Sequence, residues 1–250
     1  MKATQRVGAL IIGDEILSGK RADKHLAHVI ATLAARGIML DYAHYLGDDR
    51  AHLVEVLQAS LARYDVVFSF GGIGATPDDH TRQAAAAALG VPLERHPDAV
   101  REIEARFGAE AYPHRVLMAE FPAGSRIIPN PVNRVAAFAV RRHHFFPGFP
   151  QMAWPMLDWV LEQWLPDLVR EPAVERALVV HEAGESQLLT LMDAVTAEHP
   201  GAKLFSLPTL LPDGGRRIEL GVRGPAHDVE RAYAALRDGV AASGFRWEAL

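Results

Sequence analysis

The chain contains no cysteine. That excludes disulfides, thiolate nucleophiles, zinc fingers and iron–sulfur clusters, and it fits a reducing compartment. It also lacks a strong charge of either sign. A formal net charge of -5 over 250 residues argues against a protein whose main work is neutralising nucleic-acid phosphates or lying on an anionic membrane. Long apolar runs are missing too: nothing approaches the roughly 20 residues a membrane span needs. The apolar start Val7-Gly8-Ala9-Leu10-Ile11-Ile12 is followed at once by Asp14 and Glu15, without a small-residue cleavage site, so it reads as a strand and not as a signal peptide. The expectation is a soluble, cytoplasmic protein without nucleic-acid or membrane partners. What is present is ordinary globular usage, 49% hydrophobic and 23% charged, which excludes disorder, collagen and coiled coil as the dominant state.

Apolar runs alternate with helical periodicity through the first half of the chain, the pattern of a parallel sheet covered by helices on both faces. Strands are expected at Val7–Ile12, Ile38–Tyr45 and Asp65–Phe70, and helices at Ala22–Arg36, after Asp49 as cap, at Thr81–Leu89 and at Pro97–Phe107. Short strands at Ser125–Ile128, Ala136–Val140 and His144–Phe146 precede a helix bearing Trp154, Trp159 and Trp164. Those tryptophans suit a core or a subunit contact better than a stacking platform. A composition break at Pro166–Pro172 marks a linker. Beyond it, strands at Ala177–His181, Ala202–Leu207 and Arg216–Val222 and helices at Glu185–Glu198 and Ala226–Ser243 imply a small α+β layer with Asp213-Gly214-Gly215 as a hairpin turn. The domains expected are therefore residues 1–170 and 173–250.

Three loops carry the chemistry. Gly71-Gly72-Ile73-Gly74-Ala75-Thr76-Pro77-Asp78-Asp79-His80-Thr81 lies between a buried strand and a helix, where glycine amides and a helix N-terminus suit a phosphate. The purely structural alternative is a tight turn with Asp78 or Asp79 as helix cap. A second carboxylate beside a phosphate cradle would repel its ligand unless a hard divalent cation such as magnesium lay between them. Gly13-Asp14-Glu15-Ile16-Leu17-Ser18-Gly19 follows the first strand and Gly47-Asp48-Asp49-Arg50 the second, so a parallel sheet would bring all three loops to one edge. His143 and His144 are neighbours on a strand, hence on opposite faces, and do not suit one metal ion. Ser18 has no local His and acid to activate it and reads as a loop hydrogen-bond donor.

These segments, with Asn130-Pro131-Val132 and Phe146-Pro147-Gly148-Phe149-Pro150, occur in the order and spacing of the molybdopterin-binding-like domain family. The likeness covers about Val7 to Leu165. In particular it resembles the N-terminal part of the CinA, or competence/damage-inducible, proteins and the corresponding domain of eukaryotic FAD synthases; Gly184-Glu185-Ser186 in the tail matches CinA's middle domain. The resemblance implies a doubly wound three-layer α/β/α domain followed by a small α+β domain. It also implies a nucleotide or pterin ligand and a metal-dependent pyrophosphatase acting on ADP-ribose or FAD. It further implies self-association, most simply a homodimer, and no nicotinamide mononucleotide deamidase domain within these 250 residues.

Carried over residue by residue, the resemblance implies Asp79 and Asp48 as catalytic residues and Asp78 and Asp79 as metal ligands, with spacing leaving open which Asp binds the metal and which takes a proton. Gly13, Asp14, Glu15, Gly71, Gly72, Gly74, Thr76 and Asn130 are the ligand-binding residues. Asp78 stands where the molybdopterin branch usually has Arg, which favours the pyrophosphatase branch. The alternatives are a molybdopterin-binding or carrier protein without hydrolysis, and a regulatory domain that only senses a nucleotide. After Val132 the chain departs from the CinA pattern with Asn133-Arg134-Val135-Ala136-Ala137, which alters the expected pocket wall.

Overall fold

A computed structural model describes residues 6–212 and 214–250 and divides at Val169/Arg170 into two compact units. The turn residue Asp213 lies outside the described residues.

The first unit begins with β1 (Val7–Ile12), the four-residue α1 (Asp14–Leu17), α2 (His25–Ala34), β2 (Tyr42–Leu46), α3 (Arg50–Ala62), β3 (Val66–Phe70) and α4 (Thr81–Leu89). It continues with β4 (Leu93–Arg95), α5 (Pro97–Phe107), β5 (Glu120–Pro122), β6 (Arg126–Ile128), β7 (Ala137–Val140), β8 (His143–Phe146) and α6 (Pro150–Gln163). The main sheet runs β2-β1-β3-β8-β7-β6. Its first four strands are parallel, as the alternation in the first half of the chain suggested, while β7 alone is reversed and pairs antiparallel with both β8 and β6, so the sheet is mixed at its far edge.

Side chains of β1 alternate between two cores, which is why both faces of the sheet are covered. Val7, Ala9 and Ile11 join Val29 and Leu33 of α2 and Met156, Leu157 and Val160 of α6 on one face. Leu10 and Ile12 join Leu53 and Leu57 of α3, Ala84 and Ala85 of α4 and Ile103 of α5 on the other. The three-layer α/β/α expectation is therefore met. His143 and His144 do point to opposite faces. His143 Nε2 sits 2.8 Å from Ser60 Oγ in α3, while His144 stacks on Phe68 with ring centroids 5.5 Å apart. The three tryptophans of the α6 region pack half-buried against the first core, Trp154 stacked on His28 at 4.1 Å and Trp159 edge-on to Trp164 at 5.0 Å. They therefore do not form a free apolar stripe.

Boundaries differ from expectation where side chains intervene. The helix expected from Ala22 starts at His25 because the Asp23 carboxylate takes the amide N–H groups of His25 (2.7 Å) and Leu26 (3.1 Å). Ile38 is buried in the first core from a connecting segment, and the strand begins only at Tyr42. The antiparallel pair of β4 and β5 was not foreseen.

The second unit contains β9 (Val174–His181), α7 (Glu185–Glu198), β10 (Lys203–Leu210), β11 (Arg216–Gly224), α8 (Ala226–Ala242) and an unforeseen β12 (Trp247–Ala249). Its antiparallel sheet runs β10-β11-β9-β12, and Leu178, Val180, Leu220 and Val222 pack with Leu188 of α7 and Leu236 of α8 in a separate core.

Candidate functional site

Because β2, β1 and β3 are parallel neighbours, the loops after all three leave the same sheet edge. Asp14, Glu15, Asp48 and Asp78 accordingly line one open depression of about 640 Å³, together with Ser18 and Lys20. Asp14 and Asp48 hold the first two loops together: the Asp14 N–H donates to Asp48 Oδ2 (3.0 Å) and the Asp48 N–H to Asp14 Oδ1 (3.2 Å). Partial burial pushes the Asp48 carboxyl above the ordinary carboxylate range. The neighbouring charges of Asp14, Glu15 and Asp78 add to this, while the Asp14 N–H opposes it. Asp49 is occupied as the cap of α3, accepting from the His52 N–H at 2.9 Å.

The Gly71–Thr81 loop separates this acidic depression from a second, largely apolar cavity of about 480 Å³. Its walls include Phe107, Met118, Val135, Phe149 and Met152, with Gly72, Gly74, Thr76 and Asp79 along the loop side. Asn133, Val135 and Ala136, the segment that departs from the CinA pattern, form part of the wall. A cavity of this size and lining suits an aromatic bicycle. Asp78 and Asp79, paired as metal ligands by sequence, are thus divided between two depressions.

Within the loop each expected ligand residue has a definite task. Gly71 has φ +105, and a Cβ there would overlap the Ile12 carbonyl, so this position requires glycine to let β3 turn against β1. Its amide does not face a ligand, because it donates to the Phe146 carbonyl at 3.0 Å. Gly13 likewise donates its N–H to the Leu46 carbonyl at 3.0 Å. Among the described residues, the amides of Gly72, Ile73 and Gly74 donate to no protein acceptor. These three amides are therefore free of protein partners where the Gly71 amide is not. Asp79 Oδ2 accepts from both the amide (2.9 Å) and the hydroxyl (2.5 Å) of Thr76, closing the loop on itself.

Asn130 is buried and committed to the wall: its Oδ1 accepts from the Val132 N–H (3.0 Å) and its Nδ2 donates to the Val135 carbonyl (3.1 Å). It lines the cavity and shapes it through the 130–135 turn.

Two supporting residues were missed. The Arg82 guanidinium is buried and donates to the carbonyls of Gly74 (2.6 Å), Leu117 (2.6 Å) and Glu120 (3.0 Å). Burial lowers its pKa, opposed by the charges of Glu120 and Asp79. His25 stacks on Phe70 and lies 3.2 Å, through Nε2, from the carbonyl of Gly148 in the cavity wall; burial lowers its pKa as well. Nothing in their local sequence marks either, because both act across long separations.

Magnesium-class ions prefer hard oxygen donors, and four carboxylates around one depression, with Asp48 pushed upward first by burial and then by its neighbours, are of that kind. As the side chains stand, no three Asp, Glu or His groups among the described residues form a ready ligand set. Binding would therefore need carboxylate rotation, for which Asp14 and Asp48 each retain an oxygen outside their mutual hydrogen bonds.

Comparison with known proteins adds the following. Residues 8–167 match the family profile described as "Probable molybdopterin binding domain". A CinA-like protein of Anaeromyxobacter sp. is 37% identical over 175 residues, covering 67% of this chain and 43% of that protein. A CinA-like protein of Chlorobium luteolum is 30% identical over 239 residues, covering 91% of this chain and 54% of that one. The chain thus spans about half the length of the curated relatives it matches. Among solved structures, the protein CinA with unknown function from Thermoplasma acidophilum superposes with a TM-score of 0.58 at 26% identity, over 66% of this chain and 100% of that one.

Proposed function

Since the chain belongs to the molybdopterin-binding domain family and is similar to CinA-like proteins, we propose that it is a metal-dependent nucleotide pyrophosphatase acting on a dinucleotide such as ADP-ribose or FAD. One observation carries this reading: a single loop, Gly72–Asp79, has an apolar cavity sized for an aromatic ring on one side and four carboxylates on the other. A ligand with a ring and a diphosphate is the simplest molecule to use both.

In this reading the ring enters the cavity between Phe107, Met118 and Phe149, and the amides of Gly72, Ile73 and Gly74 receive phosphate oxygens. Asp14, Glu15, Asp48 and Asp78 would hold a divalent cation, which when bound supplies charge neutralisation and a more acidic water. Asp79, on the cavity side, keeps Oδ1 outside its bonds to Thr76 and is the group to take the proton of the attacking water. Arg82 and Asn130 position the loop and the wall. Water adds to one phosphorus, the bridging P–O bond breaks, and two phosphomonoesters leave.

The reading is tested by incubating the full chain with ADP-ribose or FAD, in magnesium and in chelator, and following AMP by chromatography. Magnesium-dependent AMP supports it, and no AMP from any dinucleotide overturns it. The alternative is a molybdopterin-binding protein without hydrolysis, which the bicycle-sized cavity also suits; it expects pterin fluorescence to copurify and no turnover. A cytoplasmic homodimer completes the proposal. Light scattering giving a mass of 27.3 kDa would remove the dimer.

A further inference from the structure

At the opposite edge of the main sheet, where β7 hands over to β8, a small depression of about 180 Å³ is lined by Arg126, Arg141, Arg142, His144 and Trp164. It lies at the amino ends of the parallel strands, whereas the candidate site lies at their carboxyl ends. Three guanidinium groups converge here, and among the described residues no carboxylate lines the depression. Cations held together without a counter-charge in the lining repel one another.

Two further features point the same way. Val140 and His143 pair across a two-residue hairpin turn formed by Arg141 and Arg142. Such turns favour Asn and Gly because they require positive φ, and Arg141 adopts φ +52 there. An arginine thus occupies a backbone position that suits it poorly, at a cost on the order of 1 kcal/mol. In addition, Arg142 lines the depression, and among the described residues its buried Nε has no hydrogen-bond partner, which leaves this guanidinium incompletely satisfied by protein. The Arg126 guanidinium lies 3.9 Å over the Trp164 ring, which fixes the third cation at the rim. His144, on the inner side, is kept neutral chiefly by burial, with its pKa pushed down to about 3; the charges of Arg142 and Arg126 contribute.

We propose that this depression is an oxyanion site that takes a phosphate group, either the free ion or the terminal phosphate of a monoester, between Arg126, Arg141 and Arg142. Guanidinium forks match the geometry of phosphate oxygens, and the volume admits a phosphate group. The inference is independent of the proposed pyrophosphatase chemistry.

The test is calorimetric titration of the full chain with inorganic phosphate, and separately with glycerol 3-phosphate, at constant ionic strength in chloride. Arg126→Gln, Arg142→Gln and, as a distant control, Arg237→Gln are titrated alongside. The expected result is saturable binding on the order of millimolar Kd, weakened at least about fivefold in the first two variants and unchanged in the third. Arg126 is exposed, so its variant keeps the test valid even where Arg142→Gln misfolds. Binding by glycerol 3-phosphate as tight as inorganic phosphate identifies a monoester ligand; binding by inorganic phosphate alone identifies the free ion. No saturable binding of either probe, or equal binding by wild type and Arg126→Gln, overturns the proposal.

Discussion

Asp14 and Asp48 exchange hydrogen bonds, each carboxylate accepting the other's backbone N–H at 3.0 and 3.2 Å. Through this pair the loops following β1 and β2 become one platform, although Asp48 is crowded by the charges of Asp14, Glu15 and Asp78. Asp48→Asn keeps an acceptor for the Asp14 N–H while removing one of four clustered charges. Thermal unfolding in metal-free buffer should show its Tm unchanged or up by about 2 °C, whereas Asp48→Ala, which loses the acceptor, falls by a similar amount. A lower Tm for Asp48→Asn would mean that the cluster is not strained.

Thr76 closes the glycine loop with two bonds to Asp79 Oδ2. Thr76→Val removes the hydroxyl bond and leaves the amide bond. Because the residue is exposed, stability should change by less than about 1 kcal/mol. AMP formation from ADP-ribose should drop about tenfold through loss of loop positioning. Wild-type turnover would show that the loop needs no such closure.

Arg82 supports the same loop from beneath, with three carbonyls on one buried guanidinium. Arg82→Met keeps the length of the side chain and orphans all three acceptors. Urea denaturation should report a loss of roughly 3 kcal/mol, with Arg82→Lys intermediate. A loss under about 1 kcal/mol would contradict this role.

The contrast between these residues explains what was legible in the sequence. Asp48, Asp14 and the glycine loop sit at strand ends, so strand order and a parallel register suffice to bring them together. Asp23 shortening α2, Asn130 bonding within its own turn and Gly71 giving its amide to Phe146 are decided by side-chain and backbone partners that periodicity does not carry. The strands β7 and β8 are legible from their apolar runs, but the short turn at Arg141-Arg142 that pairs them antiparallel lacks the Asn-Gly signature that announces a hairpin. Asp78 and Asp79 illustrate the same limit, since adjacency in sequence placed them at one site and the loop turns them to two.

Acid sensitivity follows from the buried histidines. Burial pushes His143 down to about 4 and His144 to about 3, and lowers His25 and His28 as well. Each binds fewer protons folded than unfolded, so stability rises with pH through this window and is lost as pH falls from about 6.5 toward 3. The urea midpoint should be lower at pH 5.5 than at pH 7.5, and His144→Phe should reduce the difference. A midpoint that increases on acidification would contradict the assignment.

The central claim is tested most directly by the rate of AMP release from ADP-ribose in magnesium, wild type against Asp79→Asn, with both folded by circular dichroism. The substitution keeps an acceptor for Thr76 and removes the charge beside the cavity, so the account predicts magnesium-dependent turnover in the wild type and a loss of at least about a hundredfold in the variant. Equal rates in the two proteins, or no AMP from the wild type, would contradict it.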